Sequence, residues 1–175
     1  MLENYNKYKS LKIFLDNPTE SFRLRELSRL SKISPPSVMN YLLEFEKKGL
    51  IQKYIKRKIP FYKAERDNEN FKHYKRLSIL YELHKSGLID YLWDEASPEV
   101  IILFGSFSLG EDIEDSDIDL FVQSSEKRLE LKKYEKIFGR EINIFYESKF
   151  SRLSKELKNN ILNGTKLKGY LKVFK

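Results

Sequence analysis

No cysteine occurs among the 175 residues. That excludes a disulfide framework, a thiolate nucleophile and any zinc site built on Cys. Histidine is nearly as scarce. His73 and His84 stand apart without metal-ligand spacing, so a helix surface accounts for them better than a metal does. No apolar run approaches the length of a membrane span, and the N-terminal segment lacks the apolar centre of a signal peptide. The expectation is a cytoplasmic protein with no membrane partner. Glycine and proline are also few, 7 and 5, so each is informative as punctuation.

What is abundant is charge, and its distribution matters more than its total of +7. Residues 1–66 carry 15 Lys and Arg against 7 Asp and Glu, a net +8. Residues 97–122 carry 7 acids and no base, and residues 123–175 return to a net +8. An acidic strip suited to a cation therefore lies between two regions that attract polyanions, either nucleic acid or nucleotide phosphates. The length suits one large domain or two small ones.

From the N-terminus, Leu11, Phe14 and Leu15 place one apolar face on a helix from Asn6 to Asp16, stopped by Asn17-Pro18. Phe22-Arg23-Leu24 reads as a short strand. A second helix follows from Arg25 to Lys32, with Leu27 and Leu30 inward. Ser34 precedes Pro35, the arrangement of a cap and a first helical residue. The third helix then runs to Lys48, with Val38, Leu42 and Phe45 as its stripe and Gly49 beyond its end. Leu50 to Tyr54 and Pro60 to Lys63 alternate as two strands of a hairpin. A long helix from Asp67 to Ser86 and a short one from Leu88 to Glu95 follow, their aromatic and apolar positions reading as core. Three helices and a basic hairpin resemble a winged helix-turn-helix domain of the kind found in archaeal and bacterial regulators. That resemblance implies double-stranded DNA as partner. The third helix would enter the major groove with Ser37, Asn40 and Tyr41, while Arg29 and Lys32 meet the backbone and Lys56, Arg57 and Lys58 form the wing tip. A homodimer reading paired half-sites is the usual assembly for such regulators.

The second half turns on residues 100–122. Val100 to Phe104 is a continuous apolar run, a buried strand. Gly105-Ser106 follows at once, where a backbone free of Cβ can approach an anion. Gly110 closes that segment. Ser116-Asp117-Ile118-Asp119-Leu120-Phe121-Val122 then reads as a second strand. Alternation puts Asp117 and Asp119 on one face and Ile118 and Leu120 on the other. Two carboxylates at that spacing beside a phosphate-shaped loop suit Mg²⁺, which is held by one or two carboxylates together with substrate phosphates. Downstream, a helix is expected from Glu126 to Phe138, with Leu129, Leu131 and Ile137 partly inward. A strand from Arg140 to Tyr146 and a closing helix from Phe150 to Leu162 complete a small mixed sheet with helices against it.

The spacing Gly-Ser, three residues, Gly, five residues, Ser-Asp-x-Asp-Leu resembles the signature of minimal nucleotidyltransferases of the DNA polymerase β superfamily. Gly105, Ser106, Gly110, Ser116, Asp117, Asp119 and Leu120 fill it. The resemblance implies Asp117 and Asp119 as catalytic ligands of two Mg²⁺ ions, with a nucleoside triphosphate as substrate and Gly105, Ser106 and Ser116 at the nucleotide. A third metal-binding carboxylate is expected on the third strand, but Asn143 stands there, with Glu141 two residues earlier on the same face. A loop arginine after Gly-Ser is also replaced, by Phe107, Ser108 and Leu109. The expected architecture is α+β: a winged helix over residues 1–66, a helical linker over 67–96 and a nucleotidyltransferase domain over 97–175. The leading functional reading is a DNA-binding regulator that transfers or senses a nucleotide. Two alternatives stand beside it: an antitoxin-like protein that binds a helical toxin, which some proteins of that kind also modify with AMP, and an inactive nucleotidyltransferase-fold module.

Overall fold

The computed structural model describes residues 5–173. They form two compact units that divide between Ser78 and Ile79. Among the described residues, no helix is long and apolar enough to cross a membrane.

The first unit runs α1 (Asn6–Asp16), β1 (Ser21–Phe22), α2 (Leu24–Ser31), α3 (Pro35–Lys47), β2 (Ile51–Lys56), β3 (Ile59–Ala64) and the first half of α4 (Glu69–Lys85). Three helices and a three-stranded antiparallel sheet, ordered β1-β3-β2, make a winged helix-turn-helix. Its core gathers Phe14, Phe22, Leu27, Val38, Leu42 and Phe45, with Phe71 of α4 closing it. Phe14 meets Phe22 edge-on at 5.6 Å, a favoured aromatic geometry. Lys75, only 4% exposed, donates to the Leu15 carbonyl at 2.9 Å. That carbonyl lies in the last turn of α1, where helix oxygens lack an intrahelical partner and favour a cation.

Leu30 does not face inward as its spacing suggested; it is 50% exposed. Ser31 is buried instead, one full turn from Leu27, and its hydroxyl is satisfied by the Leu27 carbonyl at 2.6 Å. A hydroxyl with a local partner can be buried at small cost, and the i, i+4 geometry favoured Ser31 over the more apolar neighbour.

Strands β2 and β3 pair in register from Ile51 with Ala64 to Lys56 with Ile59. Only Arg57 and Lys58 remain for the turn, and both lie at positive φ, 49° and 64°. This is the two-residue hairpin turn that Asn-Gly normally supplies. On the outer face Tyr54 stacks with Phe61, and the Arg23 guanidinium lies 4.9 Å from the Phe61 ring centre.

The second unit continues through α5 (Leu88–Ala96), β4 (Val100–Phe104), α6 (Gly105–Leu109), β5 (Ile118–Val122), α7 (Lys132–Phe138), β6 (Ile142–Tyr146), a 3-10 turn (Phe150–Arg152), α8 (Lys155–Leu162) and β7 (Thr165–Gly169). The sheet order is β6-β5-β4-β7. Strand β4 is antiparallel to β5 and β7, whereas β5 and β6 are parallel. One sheet face packs Ile101, Leu103, Ile118 and Leu120 against Leu88 and Leu92 of α5. The other packs Val100, Ile102, Phe104 and Phe121 against Phe150 and Ile161.

Three expectations change here. The helix from Glu126 shortens to α7, because Leu129 and Leu131 pack on the core from an irregular segment and the Glu130 amide donates to the Tyr91 hydroxyl at 3.0 Å. Ile137 is accordingly 58% exposed. The closing helix from Phe150 is broken between the 3-10 turn and α8. Strand β7 had no counterpart in the sequence reading. Its Thr-Lys-Leu-Lys-Gly run offers a single large apolar residue, too little alternation to recognise. Gly164 makes the preceding turn possible: a Cβ there would lie 2.5 Å from the Leu103 carbonyl oxygen.

Positive φ at a side chain bearing Cβ costs about 1 kcal/mol per residue. Arg57→Asn/Lys58→Gly should therefore raise the thermal midpoint by roughly a few degrees; calorimetry showing no rise would mean that the turn is unstrained.

Candidate functional site

Strand β5 is flanked on both sides, and this places its acids. Asp119 stands opposite Phe104 of β4 and in register with Asn143 of β6. Asp117 lies one residue before β5 and is exposed, whereas Asp119 is half-buried. The Asn143 side-chain amide donates to both carboxylates, to Asp117 Oδ2 at 3.3 Å and to Asp119 Oδ1 at 3.2 Å. The residue standing where a third acid was expected thus spans the other two as a neutral donor. Burial raises the Asp119 carboxyl above its ordinary pKa; the Asn143 hydrogen bond opposes that shift, and the Asp117 charge adds to it.

Gly105 opens α6 at φ +70°, and a Cβ there would lie 2.7 Å from Asp119 Oδ2. Glycine suits the left-handed backbone, and a side chain there would push the Asp119 carboxylate from its place. Ser106 is half-buried, and its carbonyl accepts the Glu111 amide at 2.9 Å. Ser108 donates to the Gly105 carbonyl at 2.7 Å. The Ser116 hydroxyl accepts the Ile113 amide at 2.8 Å, so it closes the acidic loop from within.

Arg140 was not anticipated. Its guanidinium donates to the Ile113 carbonyl at 2.6 Å and lies 5.8 Å from the Phe107 ring centre. The loop that lacks its own arginine is braced by one from the segment leading into β6. No local spacing signals a contact across 27 residues. Glu141 is exposed and offers its backbone carbonyl to the Ile118 amide at 2.9 Å. Among the described residues, no third carboxylate or histidine joins Asp117 and Asp119 in a metal-binding group.

In the first unit, Arg29, Lys32 and Asn40 are exposed. Lys32 ends α2 at φ 58°. Ser37 is half-buried, with its hydroxyl 3.0 Å from that of Ser34. Tyr41 is half-buried and packs against the first core. Lys56, Arg57 and Lys58 are exposed at the hairpin end. The hairpin therefore offers contiguous cationic side chains, while α3 offers Asn40 with Ser37 and Tyr41 partly withdrawn.

Residues 86–168 match the family described as Polymerase beta, Nucleotidyltransferase, so the second unit carries a nucleotidyltransferase-fold domain. No curated protein matches the chain. Among solved structures, a MarR family transcriptional regulator from Silicibacter pomeroyi DSS-3 is similar over 51% of this chain and 62% of its own, at 15% identity and a TM-score of 0.40. The element order and strand pairing of the first unit are themselves those of a winged helix.

An acid whose pKa is raised on folding keeps a proton that the unfolded chain has already lost. Stability then falls as pH rises from the ordinary Asp value through the raised one, and the penalty is complete above it. Asp119→Asn should therefore unfold at higher urea than the wild type at about pH 7, with the advantage disappearing near pH 3, below the ordinary carboxylate range. An equal or larger advantage at the acid end would contradict this account.

Proposed function

We propose that the protein is a DNA-binding regulator whose second domain binds a nucleoside triphosphate and uses it as a signal rather than transferring it efficiently. The observation that carries this reading is the Asn143 amide, which spans Asp117 and Asp119 at 3.3 and 3.2 Å where a third carboxylate would complete a two-metal centre.

The donor set fits one divalent cation. Two hard carboxylate oxygens with room for ligand phosphates are what Mg²⁺ ordinarily takes from a protein. Burial, with a smaller contribution from the Asp117 charge, holds the Asp119 carboxyl above its ordinary pKa, and a cation at the pair would favour its charged form. A second ion would depend on Asn143, which has one neutral oxygen and no charge to offer. Bound at Asp117 and Asp119, Mg²⁺ would supply charge neutralisation for the phosphates. The chain's own residues do the rest. Asn143 holds the two carboxylates at a fixed separation, Gly105 keeps Cβ bulk away from Asp119, and Gly105 and Ser106 line the path of the phosphates. Ser116 and Arg140 hold the intervening loop in shape.

The first domain supports the DNA half of the reading through its net +8 and the exposed Lys56, Arg57 and Lys58 at the hairpin end. Two residues in a costly backbone conformation at the tip of a basic hairpin suggest that their cationic side chains are kept for use. Contacts of this kind go to phosphates and supply affinity more than sequence choice.

Calorimetric titration of MgATP, MgCTP, MgGTP and MgUTP should give metal-dependent heat with at least one of them in the wild type and none in Asp117→Ala/Asp119→Ala. Asn143→Asp should bind Mg²⁺ roughly tenfold more tightly, about 1.4 kcal/mol. Silence with all four nucleotides would end the nucleotide reading. For DNA, Arg57→Asn/Lys58→Gly should bind a mixed-sequence duplex more weakly and lower the log-log salt slope by about two; an unchanged slope would remove the wing from the interface.

A further inference from the structure

Register places Asp119 and Asn143 on one face of the sheet, and Phe121 and Phe145 follow them on the same face one strand repeat further along. Strands β5 and β6 rise together, so Phe145 stands about 6.6 Å beyond Asn143. The 3-10 turn and α8 cover part of this face. Phe150, Leu153, Leu157 and Ile161 pack over Val100, Ile102, Phe104 and Phe121. Asp119 and Asn143 stay half-buried, and Phe145 keeps 42% of its surface in solvent. Phe104 supports the Phe145 ring from the side, with centroids 5.4 Å apart and planes crossing at 67° rather than lying flat on one another. The result is a braced aromatic ring, partly open to solvent, on the same sheet face as the two carboxylates and one strand repeat along from Asn143.

We propose that Phe145 is the stacking platform for the nucleobase of a nucleoside triphosphate whose phosphates lie at Asp117 and Asp119. The inference rests on the nucleotide reading above and specifies how that site holds the rest of its ligand. Charge complementarity selects the occupant. The acids call for a cation, the cation calls for phosphates, and phosphates anchored there carry a sugar and base along the sheet face. A ring platform holds any base, because every base has a π-face, so the site would discriminate weakly among the four. Phe145 is a binding residue in this scheme and takes no part in bond making.

The test compares MgATP with magnesium tripolyphosphate, which has the phosphates but no base. Titrations use the wild-type chain and Phe145→Leu, Phe145→Tyr and Phe145→Trp. Leu keeps apolar bulk against Phe104, and a melting curve for each variant checks that it is folded. In the wild type MgATP should bind more tightly than tripolyphosphate. Phe145→Leu should lose at least about fivefold for MgATP and nothing for tripolyphosphate, while Tyr and Trp retain MgATP binding. Indole emission in Phe145→Trp should be quenched by MgATP beyond any change from Trp93 in the wild type. Equal MgATP affinity in wild type and Phe145→Leu overturns the platform and leaves the nucleotide site standing; it would fit a ring used by an acceptor's aromatic side chain instead. Failure of both ligands to bind the wild type overturns the nucleotide reading, and the platform falls with it.

Discussion

The placement of β5 between an antiparallel and a parallel neighbour is the constraint on which the second domain depends. A strand so placed has no free edge, and its alternate side chains must satisfy two different faces. Ile118, Leu120 and Val122 complete one apolar core, and Phe121 completes the other. The only polar position inside the strand, Asp119, lies near its beginning, where β4 gives way to Gly105. The site thus occupies the end of the sheet where burial runs out, and the desolvation that raises the Asp119 pKa comes from that partial enclosure.

The chemistry follows from what β6 brings alongside. Had the residue in register with Asp119 been a third acid, three negative charges would converge, a set that favours a bound metal. With Asn143 the two acids are tied by a neutral donor and the site is self-consistent without an ion. That difference separates three converging charges from two acids joined by a neutral donor, and it is the ground for the proposal that a nucleotide is bound rather than transferred. Phe145, two residues on, extends the same face into an aromatic one.

The first domain shows a different economy. Its core is ordinary, but its hairpin turn places Arg57 and Lys58 in a backbone region that favours glycine and asparagine. Local stability is given up where charge is displayed. Arg23 against the Phe61–Tyr54 stack restores stiffness at the base of the hairpin, so the strain stays at the tip.

Much of the architecture could be read from residue order. Helices α1 and α3, the hairpin, the buried strand β4 and the Gly105-Ser106 to Asp117-x-Asp119 spacing all depend on periodicities of two or 3.6 and on local punctuation, which a linear chain displays directly. The same reading missed β7, where one leucine among lysines carries no period, and misjudged Leu30 and the segment before α7, where the partners are Ser31's local carbonyl and the distant Tyr91 hydroxyl. At the site, the sequence determined that two acids would share a face behind a glycine turn and that Asn143 would stand in the third place. Only the tertiary structure decided that the asparagine turns its donor to both acids, that Arg140 braces the loop, and that Phe145 remains open beside them. Each of those depends on which strands and loops become neighbours, and hydrogen bonds and ring contacts between residues far apart in the chain are written in no local pattern.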